Sequence, residues 1–165
     1  MKKIFFLLAV LFIVNLACKK NGDGNTCACS PVTEPALTLV IKNAQGEDLL
    51  NPATSGALLE SQVKLYTKSS NGGEQVSKIY IQKPVNMSPT EKFDFYQITS
   101  YEIVNLAKSG SPFYLKLGNA EPLLLTLTFN ESTRKVEALV INQQPATKGE
   151  GLITSYIGSF FYIVS

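Results

Sequence analysis

The chain of 165 residues contains no histidine and no tryptophan, and it has only three cysteines. Without histidine it cannot build a Ser-His-Asp or Cys-His catalytic arrangement or an imidazole metal site, and no side chain has an unperturbed pKa near neutral pH. Charged residues are also few, at 17%, against 45% hydrophobic residues. This composition is typical of one folded domain and argues against a disordered or fibrous chain.

A basic and then apolar segment opens the sequence. Lys2 and Lys3 precede an unbroken apolar run over residues 4–14. As a helix this run covers about 20 Å, which is shorter than the ~30 Å hydrocarbon core of a bilayer. Residues 1–17 are therefore predicted to be a signal peptide rather than a transmembrane helix.

The end of this segment, Asn15-Leu16-Ala17-Cys18, resembles a bacterial lipobox, although Asn15 stands where the leucine of that motif is usual. The resemblance implies cleavage between Ala17 and Cys18 and a diacylglyceryl thioether on Cys18. Ordinary secretion with an unmodified Cys18 is the alternative. Because each buried methylene contributes ~0.8 kcal/mol, several acyl chains make a permanent anchor. We expect attachment through Cys18 to the outer membrane of the cell envelope, with the domain in the periplasm or at the cell surface.

The charge balance bears on the expected partners. Loss of residues 1–17 removes two of the 15 Lys and Arg residues and leaves 13 against 13 Asp and Glu. A neutral chain whose charges are scattered along the sequence lacks the electrostatic footprint of a nucleic-acid-binding protein. Nucleic acid is therefore not an expected partner, and a polybasic segment for anionic lipid is not present either.

Residues 18–35 are predicted to be a flexible tether, because they are polar, rich in glycine and proline, and have no apolar period. A calcium-loop register that begins at Asp23 has Ala28 where the sharp turn requires glycine, so no calcium site is expected. Cys27 and Cys29 are too close for an unstrained disulfide and too few for a structural zinc site. In an oxidising envelope they could form a strained disulfide, pair with another chain or stay free.

Residues 36–165 are predicted to form one β domain, because apolar residues recur at every second position in most of its segments. The alternating segments are residues 37–42, 63–66, 79–81, 93–95, 113–117, 123–129 and 135–141. The last two, joined by a short polar connection, are the clearest hairpin. Residues 152–164 are predicted to be a final buried strand, and only residues 51–60 have a helical pattern. Seven or eight strands at this spacing predict an all-β, antiparallel β-sandwich.

One segment carries a resemblance to known proteins. Its sequence is Leu37-Thr-Leu-Val-Ile-Lys-Asn-Ala-Gln-Gly-Glu-Asp-Leu-Leu-Asn-Pro52. It resembles the opening hairpin of small, uncharacterised envelope lipoproteins of Bacteroidetes-type bacteria. In those proteins a strand, an Asp-x-x-Gly turn and an Asp-Leu-Leu-Asn-Pro segment begin an Ig-like or transthyretin-like sandwich. Here the turn begins with Asn43. The resemblance implies a compartment and a fold, and it implies no activity.

No grouping of nucleophiles, acids or metal ligands in the sequence points to catalysis. Ser61 and Lys64 have Ser-x-x-Lys spacing, but residues three apart in a strand point to opposite faces, so we interpret the match as chance. Glu47 and Asp48 follow a turn and are interpreted as a solvated pair. Since no phosphate-binding glycine loop or metal-ligand spacing is present, the chain is predicted not to be an enzyme and to need no cofactor or metal.

Three tyrosines are the candidate binding face. Tyr66, Tyr80 and Tyr114 occupy the polar phase of their strands and are predicted to face outward. On adjacent strands they would form a platform on which sugar rings stack, or a surface for a partner protein. We favour the other interpretation, in which the tyrosines pack across strands and merely cover the sheet, because the strand order is unknown and the chain has no tryptophan.

These features favour a lipid-anchored, non-enzymatic envelope protein that presents a β-sandwich as a binding module. Its partner is expected to be another envelope protein or a glycan, the latter as an accessory of a nutrient-uptake system. The alternative is a fimbrial-type structural subunit that exchanges a strand with its neighbour. Some such subunits in the resembled group mature by arginine-directed cleavage near the N-terminus, whereas the only arginine here is Arg134, within the predicted hairpin.

Overall fold

Most of the regular structure is β. A computed structural model describes residues 34–107 and 111–165, and Glu34–Ser165 form one compact unit. The strands in the described residues are β1 Leu37–Lys42, β2 Val63–Lys68, β3 Glu74–Ser77, β4 Tyr80–Gln82, β5 Val85–Asn86, β6 Lys92–Phe93, β7 Gln97–Ser100, β8 Phe113–Leu117, β9 Leu123–Asn130, β10 Lys135–Ile141, β11 Gln144–Pro145, β12 Thr147–Lys148 and β13 Phe160–Val164. The helices are the 3-10 helix Glu60–Gln62 and the short α-helices α1 Glu102–Ala107 and α2 Thr154–Ile157. Five of the strands have only two or three residues, too few for an alternating pattern, so more strands are present than the seven or eight expected.

The first sheet has five strands in the order β12-β13-β1-β7-β4. Its centre is β1, which pairs with β7 in antiparallel orientation and with β13 in parallel orientation. The prediction of purely antiparallel pairing is therefore wrong at β1 and β13. These two strands come from opposite ends of the domain, and the long intervening chain leaves their relative direction free, whereas a tight hairpin imposes an antiparallel pair.

The second sheet has six strands in the order β11-β10-β9-β8-β2-β3, and all its pairs are antiparallel. The predicted hairpin is confirmed as β9 and β10, with a register shift between Val136 and Ala138. In its connection, Asn130 Oδ1 accepts hydrogen bonds from the backbone N–H groups of Ser132 and Thr133. A third, two-stranded sheet pairs β5 with β6.

One hydrophobic core draws side chains from both large sheets. Buried contributors from the first sheet are Leu37, Leu39, Ile41, Ile98, Phe161 and Ile163. Buried contributors from the second sheet are Val63, Leu65, Phe113, Leu115, Leu117, Leu125, Leu127, Val136 and Leu139. Helix α1 adds Ile103, Val104 and Ala107. In β1, β2, β8 and β9 these buried residues are the apolar members of the alternating pattern. The prediction that they face inward is confirmed.

A smaller core lies on the opposite face of the first sheet. Val40 and Phe160 point to this side and are buried together with Phe93 and Ile153. Residues of the first sheet are thus buried on both of its faces, which explains why β13 is apolar along nearly its whole length. In this cluster the Phe160 ring packs edge-on against Phe93, with 5.0 Å between the ring centroids.

The helical segments differ from the expected ones. Residues 51–60 do not form the expected helix. Residues 51–56 form consecutive turns closed by hydrogen bonds such as that from Thr54 N–H to the Asn51 carbonyl, and Glu60 is the first residue of the 3-10 helix. Gly56, at φ +75°, takes a left-handed conformation that ends any helical run there. The expected strand over residues 152–164 is interrupted by α2, and only Phe160–Val164 is extended. Short apolar segments do not distinguish strand from helix by pattern alone.

Candidate functional site

The outer face of the second sheet brings two of the three predicted tyrosines together. Tyr66 on β2 and Tyr114 on β8 are directly opposite each other in the register. Since Leu65 and Leu115 point into the core, alternation places both tyrosines on the opposite face. Their rings stack with 5.3 Å between centroids and 22° between planes. Such a pair stabilises the sheet by about 0.5–1.5 kcal/mol beyond its buried area.

Tyr66 is not exposed as the sequence predicted. Its side chain is only 3% exposed, because neighbours surround the ring. Tyr114 stacks against it from β8, and Val76 is opposite it on β3. The ammonium group of Lys64 lies 5.0 Å from the ring centroid and forms an ion pair with Glu74. An open stacking platform for sugar rings is therefore absent at Tyr66.

Three lysines share this face with the tyrosine pair. Lys64 and Lys68 flank Tyr66 at alternate positions of β2, and Lys116 follows Tyr114 on β8. The Lys68 ammonium group lies 4.6 Å from the centroid of the Tyr114 ring, within cation–π range. We call the set Lys64, Tyr66, Lys68, Glu74, Tyr114 and Lys116 the lysine–tyrosine face.

The lysine–tyrosine face is electropositive. Glu74 is its one carboxylate, and the hydrogen bond from Lys64 holds the Glu74 pKa below the ordinary value. Desolvation opposes this shift, whereas the positive charges of Lys64, Lys68 and Lys116 reinforce it. Lys64 and Lys116 are directly opposite each other in the register, an arrangement that is destabilising for like charges. Glu74 thus neutralises one charge of three.

The third predicted tyrosine lies elsewhere. Tyr80 is in β4, at the edge of the first sheet, and its ring packs edge-on against Tyr101 at 6.1 Å between centroids. Lys78 approaches the same ring at 4.9 Å. Tyr80 is 42% exposed, so its predicted outward orientation holds. The hypothesis of a single platform of all three tyrosines on adjacent strands is wrong, because β4 belongs to the other sheet.

The acidic pair is not a solvated pair. Asp48 is buried, and its two carboxylate oxygens accept hydrogen bonds from the backbone N–H groups of Leu50 and Tyr96, at 2.9 and 2.6 Å. Glu47 remains exposed and accepts a hydrogen bond from the Asn43 side chain. The two carboxylates therefore have separate partners: Glu47 bonds a side chain of its own turn, whereas Asp48 bonds backbone N–H groups and holds the turn after β1 against the chain that leads into β7.

The Lys42 side chain lies between two aromatic rings. The Lys42 ammonium group lies 3.9 Å from the centroid of Phe95 and 4.2 Å from that of Tyr162. Burial raises the pKa of the Tyr162 hydroxyl. Because the lysine of the chain itself fills the space between these rings, this cluster is a packing feature of β1 and β13.

The lysines of the face are the residues that sequence reasoning missed. The signal was present, since Lys64, Tyr66 and Lys68 alternate along one strand and Tyr114 and Lys116 along another. Alternation alone puts each set on one side of its strand. The pairing of β2 with β8, which joins the two sets, is not encoded locally in either segment.

The three cysteines, a possible metal site and a possible membrane-spanning helix remain to be considered. Cys18, Cys27 and Cys29 are outside the described residues. Within residues 34–107 and 111–165, no three His, Cys, Asp or Glu side chains are grouped so as to hold a metal ion. Over the same ranges, no helix has the length and hydrophobicity to cross a bilayer. No protein-family model, curated protein or solved structure matches the chain.

Proposed function

We propose that this chain is a lipid-anchored, non-enzymatic protein of a bacterial cell envelope, and that its β domain is a binding module. The Cys18 thiol carries the lipid, residues 18–35 act as the tether, and the domain that follows presents the lysine–tyrosine face to a partner. The resemblance of residues 37–52 to envelope lipoproteins of Bacteroidetes-type bacteria supports this compartment.

The observation that carries the binding role is the lysine–tyrosine face. Lysine side chains are ordinarily mobile, and ordering them costs conformational entropy. Here Lys64 is held by Glu74 and Tyr66, and Lys68 lies over Tyr114. Cations that are already positioned lose less entropy when a ligand binds, which favours recognition.

The proposed architecture is a β-sandwich of the Ig-like or transthyretin-like kind, with the two large sheets as its layers. The shared hydrophobic core of Leu39, Ile98, Leu65 and Leu115 supports this arrangement, since these buried side chains come from both sheets. Side chains on the two inner faces of a sandwich fill its interior in this way.

The alternative of a strand-exchanging structural subunit receives less support. Strand exchange needs a sheet edge long enough to pair with a donated strand. The edge strands of the two large sheets, β3, β4, β11 and β12, have at most four residues each. Short edge strands are a common means of preventing pairing with other chains. A glycan platform of open rings is also disfavoured, because Tyr66 is buried.

Detergent phase partitioning and intact mass test the anchor. The full chain is expressed in a bacterium that processes lipoproteins, beside a Cys18→Ser variant and a Cys27→Ser control. We expect the wild type and the control to enter the detergent phase with a mass above that of residues 18–165, and Cys18→Ser to stay in the aqueous phase. A membrane-extracted wild type with the plain mass of residues 18–165 would overturn the lipid anchor.

A further inference from the structure

The lysine–tyrosine face concentrates positive charge that the chain as a whole does not have. Residues 18–165 carry 13 basic and 13 acidic side chains, whereas the face has three lysines and one glutamate. Lys68 and Lys116 are exposed. Patches of complementary charge steer partners and fix their register. The three ammonium groups come from two strands and are therefore spread over the face. A ligand that pairs with all of them needs more than one negatively charged group.

The face also has an apolar row. Val76, Tyr66, Tyr114 and Leu124 are opposite one another across β3, β2, β8 and β9. With strands ~4.8 Å apart, this row is about 14 Å long. Lys64 and Lys116 lie on one side of the row and Lys68 on the other, by their positions along the strands. Val76 is 54% exposed, so the row offers apolar contact at its end.

This combination favours a peptide over a glycan. Sugar rings stack on open aromatic faces, and here Tyr66 is buried while Lys68 lies over the Tyr114 ring. An extended peptide rises ~3.3 Å per residue, so about four residues span the row. Successive side chains of such a peptide point to opposite sides. Carboxylates can therefore reach the lysines on both sides of the apolar row. The opposed Lys64 and Lys116 then gain a carboxylate between them.

We propose that the lysine–tyrosine face binds an acidic, extended segment of a partner protein. This inference rests on the proposed role as a binding module, and it adds the chemical class of the ligand. Glutamates or aspartates of the segment pair with Lys64, Lys68 and Lys116, and its apolar side chains cover Tyr114, Val76 and Leu124. Binding weakens as salt is raised, because exposed ion pairs are screened.

Fluorescence anisotropy tests the proposal with the full processed chain in detergent micelles. The probe is a short labelled peptide in which two adjacent glutamates, whose side chains point to opposite sides of an extended chain, lie between valines. The same peptide with glutamine for glutamate is measured beside it. The face variant is Lys64→Gln, Lys68→Gln and Lys116→Gln. The matched control, Lys83→Gln, Lys92→Gln and Lys148→Gln, removes as many charges at exposed positions outside the face. Lys116→Gln alone is measured as well, in case the triple variant does not fold.

We expect the glutamate peptide to bind the wild type, the face variant to weaken Kd by about tenfold or more, and the control to change it less than about twofold. Lys116→Gln alone weakens binding in the same direction. Equal binding of the two peptides, or equal weakening by both triple variants, would contradict a specific acidic-peptide site. Binding of polygalacturonate but not of the peptide would assign the face to acidic glycans instead. Either result leaves the Cys18 measurement, and with it the anchor, unaffected.

Discussion

At the scale of single residues, Gly149 shows how closely the smaller core is packed. A Cβ atom added there would lie 1.9 Å from Cζ of Phe160 and nearly as close to two more atoms of the same ring. The ring is buried, and the Gly149 N–H donates a hydrogen bond to the Phe160 carbonyl at 2.8 Å. Neither the backbone nor the ring can withdraw easily, so only glycine fits without displacement.

Gly149→Ala is therefore expected to lower the free energy of unfolding by about 1–3 kcal/mol, as overpacking does in other cores. Urea denaturation followed by circular dichroism measures the change. Phe160→Leu is made alone and combined with Gly149→Ala. Because the smaller side chain makes room for the methyl group, we expect the double variant to lose less stability than the sum of the two single variants. Simple additivity would contradict the proposed close contact.

At the scale of elements, the sequence pattern predicted strands and pairings that form between neighbouring segments of the chain. The β9–β10 hairpin was predictable, since its strands adjoin in sequence and each alternates clearly. The parallel pairing of β1 with β13 was not, because it joins the two ends of the domain and no turn specifies it. Helix α2 escaped prediction because Thr154–Ile157 is too short to show a helical period in an apolar stretch.

The candidate site was predictable to the same extent. Tyr66 and Tyr114 could be assigned to the polar phase of their strands, and they do share a face. Tyr80 could not be separated from them, since strand order decides which sheet holds it. The burial of Tyr66 also depends on partners from other strands, namely Val76 on β3 and Tyr114 on β8. Alternation indicates which side a residue faces and does not indicate what covers it.

Asp48 connects elements that are distant in sequence. Its carboxylate joins the turn after β1 to Tyr96, immediately before β7. Asp48→Asn replaces one acceptor oxygen with a donor amide and leaves a backbone N–H unsatisfied. We expect a loss of about 1–3 kcal/mol in the free energy of unfolding, measured by urea denaturation. Glu47→Gln, at the exposed neighbouring carboxylate, is the control and is expected to change little. Similar losses in both variants would refute this role of Asp48.

At the scale of the whole molecule, we propose a lipid anchor at Cys18, a tether over residues 18–35 and a domain that presents the lysine–tyrosine face. Lipid attachment would confine the domain to the membrane surface, where its partner is expected to be another envelope protein. If the domain binds as proposed, the three lysines of the lysine–tyrosine face would select the partner by charge, and the apolar row would add contact area.

Site-directed photo-crosslinking in cells of the source bacterium tests this claim most directly. A photoreactive residue replaces Val76 beside the face, and in a parallel strain it replaces Leu152, which is exposed outside the face. We predict one discrete protein adduct from position 76, none from position 152, and loss of the adduct when Lys68→Glu is added. No adduct at position 76, or the same adduct from both positions, would contradict the account.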